Sequence, residues 1–86
     1  MNRITIKDKN GYHIDVDIET VIQRLGVFED AYENLINSQN RIPLELEELR
    51  KQGKEKTVKY KETVTKKLIN TNIIMFFERY GINYER

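Results

Sequence analysis

The chain has no cysteine, one histidine, one proline and four glycines among its 86 residues. Without cysteine there can be neither a disulfide nor a thiolate metal site, and an intracellular, cytoplasmic home is natural. Long hydrophobic runs are missing as well. The most apolar window, "LINTNIIMFF", is far shorter than the roughly 20 residues that span a bilayer. Residues 1–6 form a short alternating segment, unlike the basic start and apolar run of a secretory leader. The expectation is a soluble protein with no membrane partner.

Catalytic signatures are equally sparse. His13 stands alone, with no carboxylate pair at helical spacing, and a lone histidine on a surface strand is more often an edge residue than a base. Glu45, Glu47 and Glu48 lack the Asp/Asn/Gly alternation of a calcium loop and have no histidine beside them. There is no glycine-rich phosphate loop and no nucleophile elbow. No catalytic residue, metal ligand or cofactor is expected, and an enzyme is the poorest of the functional classes.

Charged residues make up 34% of the chain and hydrophobic residues 38%, a polar balance for a single domain this small. Such a chain often supplements a limited core by self-association. Its net charge of +1 hides an asymmetry. Residues 1–49 hold five basic and ten acidic side chains, a balance of −5, whereas residues 50–67 hold eight basic and two acidic, a balance of +6. That pattern permits a polyanion partner or head-to-tail pairing of two copies.

Periodicity predicts one α+β domain over residues 1–86: an N-terminal β-hairpin over 3–17 followed by three helices, the last long and hydrophobic. Ile4 and Ile6 alternate with polar residues, as do Ile14, Val16 and Ile18. A three-residue loop, Lys9-Asn10-Gly11, would pair Ile6 with Ile14 and Ile4 with Val16, gathering the apolar residues on one face. Helices are expected at about 18–38, 43–52 and 57–80. Asp17 caps the first, whose stripe is Ile18, Ile22, Leu25, Phe28, Tyr32 and Leu35. "NSQNR" reads as a loop. Pro43 opens the second helix and Gly53 closes it, with Ile42, Leu46 and Leu49 as its apolar line. The third is ambiguous at its start, because "TVKYKETVT" also has strand-like alternation. Gly81 caps its end.

Two surfaces follow. Ile69, Ile73, Phe76 and Tyr80 form one stripe on the last helix, and Val64, Leu68 and Met75 form another, more than 90° away. With Ile74 and Phe77 the end of that helix is apolar nearly all round, so Ile69, Ile73, Phe76, Phe77 and Tyr80 are the candidate self-association residues of a homodimer. The other surface is "KQGKEKTVKYKETVTKK", whose Lys54, Lys56, Lys59, Lys61, Lys66 and Lys67 could neutralise phosphates while Tyr60 stacks on a base. Lys59 and Lys61 fall in a first helical turn, where the helix dipole favours an anion over a cation. Exposed lysines are also simply well solvated, and on a helical wheel these scatter rather than line up.

"RLGVFEDAYENL" and "IPLELEELRKQGKEKTVKYKETVTKKLINTNIIMFFERYGI" resemble small phage and prophage proteins of Gram-positive bacteria, largely of unassigned function. The resemblance covers most of the chain after the hairpin. It implies a phage setting, in which small non-enzymatic proteins regulate phage genes or block host machinery such as defence systems. The function expected is a non-catalytic binding protein acting through contacts with a host or phage protein. The alternative is a nucleic-acid-binding regulator that uses residues 50–67.

Overall fold

The structure, a computed structural model, describes residues 2–83. The element order is β1 (Thr5–Asp8), β2 (Gly11–Ile14), α1 (Ile18–Lys51) and α2 (Val58–Glu78). By contacts the chain divides into two compact units, with the boundary inside α1 between Ala31 and Tyr32. Among the described residues no helix is long and apolar enough to cross a membrane.

The expectation of three helices is corrected to two, and the longer one comes first: α1 has 34 residues and α2 has 21. The expected loop at "NSQNR" is helical, and Pro43 lies inside α1 instead of opening a new helix. The cause is a seam that runs through both features. Tyr32, Leu35, Gln39, Ile42, Leu46 and Leu49 recur at alternating steps of three and four, and all six are buried or half-buried. That spacing keeps one face of a helix against a neighbour. Pro43 sits on the exposed side of α1, so its ring does not interrupt the seam, and the carbonyl left without its usual N–H partner is that of Gln39.

An interior proline costs a helix about 3 kcal/mol, part of which returns through the stiffer unfolded chain. Pro43→Ala is therefore expected to stabilise the protein by about 1–2 kcal/mol, read from the urea midpoint. A lower midpoint would show that the seam needs the proline's local geometry.

In the first unit the hairpin pairs Thr5 with Ile14, Ile6 with His13, Lys7 with Tyr12 and Asp8 with Gly11. The loop is thus two residues, Lys9 and Asn10, and the expected pairing of Ile6 with Ile14 is corrected by one position. The Asn10 N–H donates to the Asp8 carboxylate at 2.8 Å, a local bond that fixes where the chain reverses. Gly11 follows with φ +114, a conformation open to glycine. The shift sends Ile6 and Ile14 to opposite faces of the ribbon. No residue from 2 to 31 is fully buried, and Ile18, Ile22 and Leu25, expected to be core, are all more than half exposed.

Asp17 caps α1 as the sequence suggests. Its carboxylate accepts from the Thr20 hydroxyl at 2.7 Å and from the Thr20 N–H at 3.2 Å. The hydroxyl bond, followed by the backbone bond, holds the Asp17 carboxyl below its ordinary 3.8. A folded-state value below the unfolded one means stability that is fully present above the unfolded value and lost as pH falls through the folded one. Asp17→Asn keeps a capping side chain but cannot ionise. The gap between the two proteins' urea midpoints is expected to shrink as pH drops from 6 to 2.5. A constant gap would show that the charge plays no part in the cap.

The second unit is an antiparallel helical hairpin. The residues 32–51 of α1 and the whole of α2 each run about 30 Å, so their lengths match. Contacts at Tyr32–Phe77, Gln39–Thr71 and Arg50–Tyr60 step up one helix as they step down the other, with Ser38–Asn70 beside the second of them. Between them Gly53, at φ +69, lets the Lys54 and Gly53 N–H groups reach the carbonyls of Leu49 and Arg50, each at 2.9 Å. That pair of bonds is a Schellman closure. Thr57 then opens α2 by accepting the Tyr60 N–H, and Gly81 and Ile82 close it on the carbonyls of Glu78 and Phe77.

Candidate protein-interaction surface

The seam between the two helices is more polar than the sequence leads one to expect. Facing α1 from α2 are Tyr60, Thr63, Val64, Asn70, Thr71, Ile74 and Phe77, all buried or half-buried. The Asn70 amide donates to the Ser38 hydroxyl at 3.2 Å, and the Gln39 amide donates to the Thr71 hydroxyl at 2.7 Å. Thr71 in turn donates to the Lys67 carbonyl, and Thr63 to the Lys59 carbonyl. Among the described residues, the apolar side chains buried in this unit are Tyr32, Ile42 and Leu46. Gln39 Oε1 is buried without a hydrogen-bond partner, which costs stability. Polar seam positions of this kind specify register at the expense of stability.

Val58, Ile69, Ile73 and Phe76 of α2 point the other way. Successive residues turn by about 100°, so Ile69 and Phe76 stand roughly 120–180° around the axis from Tyr60, Thr63 and Ile74. Val58 is 71% exposed, Ile69 53%, Phe76 47% and Tyr80 72%, with Ile73 at 39%. Leu68 and Met75 are exposed on one flank. Outer positions 58, 62, 65, 69, 73 and 76 thus form a second stripe at helical spacing, opposite the seam, and Tyr80, in the turn that closes α2, extends it by packing on Phe76.

Of the five residues singled out for self-association, Ile69, Ile73, Phe76 and Tyr80 lie on this outer stripe. Phe77 does not: its ring meets Tyr32 edge-on at 5.6 Å within the hairpin. The two sets are joined by an aromatic ladder, Phe77 to Phe76 at 5.8 Å and Phe76 to Tyr80 at 5.3 Å. The Arg79 guanidinium lies 5.6 Å from the Phe76 ring centre. The outer rings are therefore held in place from within the same helix.

The lysine-rich stretch is not gathered into a stripe. Lys54 and Lys56 lie in the connection between the helices, and Lys59, Lys61, Lys66 and Lys67 project from α2 in different directions, all exposed. Tyr60 is engaged inside the hairpin: its hydroxyl accepts from Arg50 Nε at 2.9 Å, and the Arg50 guanidinium covers its ring at 5.7 Å. A stacked base would have to displace that cation.

One pair escaped the sequence reading. His13 Nδ1 lies 3.4 Å from Asp8 Oδ2 across the hairpin turn, both side chains about half exposed. The register that brings them together is set by the Asp8–Asn10 bond, which no periodicity argument contains. Among the described residues no group of three or more His, Asp or Glu side chains could hold a metal ion.

No protein-family model, curated protein or solved structure matches the chain.

Proposed function

We propose that the chain is a non-catalytic protein-interaction module whose working surface is the outer stripe of α2, and that this stripe is covered by a second copy of the chain. One observation carries the reading: α2 gives inward positions to Thr63, Asn70 and Thr71 while it leaves Ile69, Ile73 and Phe76 exposed on its outer face. A monomer gains nothing from that arrangement. Burying Thr63 and Asn70 while leaving Phe76 and Ile69 half exposed reverses what the hydrophobic effect favours.

The area fits. Half-exposed side chains of this size offer on the order of 100 Å² each, so Val58, Leu68, Ile69, Ile73, Phe76 and Tyr80 together offer about 600 Å². That is the upper end of what monomers leave bare and close to the roughly 600–1,000 Å² per copy buried in a stable dimer. Phe76 and Tyr80, aromatic and pre-packed, are the residue types that dominate interface energetics. The solution mass of the unmodified chain tests the reading.

A further inference from the structure

We infer that the two copies meet antiparallel, α2 against α2, with the two-fold axis beside Ile69. This inference rests on the self-association proposed above and adds its geometry. Three independent properties of the outer stripe point the same way.

The first is spacing. The outer positions 58, 62, 65, 69, 73, 76 and 80 are separated by four, three, four, four, three and four residues, a series that reads identically from either end. Turning one helix over about Ile69 therefore lays every outer position of one copy on an outer position of the other. Val58 meets Tyr80, Glu62 meets Phe76, Thr65 meets Ile73, and Ile69 meets itself.

The second is size. The N-terminal outer side chains Val58 and Thr65 are small, whereas Ile73, Phe76 and Tyr80 at the other end are large. Antiparallel pairing sets Val58 against Tyr80 and Thr65 against Ile73, small against large, on either side of the Ile69 pair. Glu62 can lay its aliphatic stem on Phe76 with its carboxylate in water. A parallel pair would force Phe76 on Phe76 and Tyr80 on Tyr80 while leaving a gap at Val58 and Thr65.

The third is charge. Residues 58–67 carry four lysines and Glu62, a balance of +3, whereas 68–78 carry Glu78 alone. Parallel pairing would stack two halves of +3 on each other; antiparallel pairing places each against the nearly neutral half of its neighbour, with opposed helix dipoles. One like-charge approach remains, Lys61 near Arg79 of the second copy, and it makes moderate salt favour association.

Because the natural chain contains no cysteine, single-cysteine variants and a short thiol-reactive cross-linker read the orientation directly. Ile69→Cys is expected to link to itself. Val58→Cys and Tyr80→Cys are expected to give, when mixed, a linked dimer several times more abundant than either gives alone. Circular dichroism confirms that each variant keeps its helices. Self-linking of Val58→Cys and of Tyr80→Cys, with no enrichment on mixing, would overturn the antiparallel geometry and leave self-association standing. A dimeric mass with no link at any of the three positions would overturn the choice of stripe, and a monomeric mass would overturn both proposals.

Discussion

Replacing Phe76 with aspartate is expected to halve the mass of the particle in solution and leave its helix content unchanged. Phe76 is 47% exposed, and its ring meets Phe77 on its own helix and Tyr80 and the Arg79 guanidinium in the turn that closes it. As a half-exposed side chain it should alter monomer stability by only about 0.5 kcal/mol. In the proposed dimer the same ring is an aromatic anchor of the covered stripe, and truncating such an anchor costs about 2 kcal/mol or more. A two-fold interface contains the substitution twice, so dimerisation weakens on the order of a thousandfold. The adjacent residue behaves differently. Phe77 meets Tyr32 in the hairpin, and Phe77→Asp is expected to unfold the protein. If Phe76→Asp also unfolded the chain, or left the mass unchanged, the outer stripe would not be the interface.

The second large effect is on stability. Ile42 is the most deeply buried large side chain, 1% exposed, and with Leu46 and Tyr32 it makes up the buried apolar core of the described residues. Ile42→Ala is expected to cost about 2–5 kcal/mol. In a chain whose whole stability is of the order of 5–15 kcal/mol, and whose seam is partly polar, that is a large fraction of the total. Leu44, two residues on and 72% exposed, supplies the control: Leu44→Ala should stay within about 0.5 kcal/mol. Urea unfolding at fixed protein concentration measures both, the fixed concentration keeping the dimer's contribution constant. Equal effects would mean that α1 does not present this face to α2.

Much of the local detail is legible in the residues. Asp17, Thr57, Gly53 and Gly81 mark helix ends because capping is local chemistry, set by side chains within a few residues of the bond they make. What the residues conceal hinges on Gln39. Leu35 and Ile42 belong to one seam only if the position between them is accepted as part of it, and a glutamine there breaks the apolar pattern. With "NSQNR" and Pro43 close by, the break looks like a loop, and one helix becomes two. The polar character of Gln39 is matched across the seam by Thr71, 32 residues away, and nothing local announces that match.

The same non-local partner choice decides which face of α2 is inside. By composition, Ile69, Ile73 and Phe76 should be core. They are outside because α1 offers Ser38 and Gln39 to its neighbour, and Asn70 and Thr71 answer them. Buried hydrogen bonds are costly to leave unmade, so the polar pairs fix the orientation and the apolar stripe is left on the outside. The hairpin register went astray for a smaller reason: a single Asx bond from Asn10 to Asp8 shortened the loop by one residue and turned Ile6 away from Ile14.

If α2 keeps its apolar face for a second copy, the chain is a dimer in solution. Sedimentation equilibrium of the unmodified chain, at micromolar concentration and moderate salt, tests it most directly. A mass twice the 10.3 kDa of the chain is expected, falling towards the single-chain value on dilution. A mass of one chain at every concentration, with the helices intact, would contradict it.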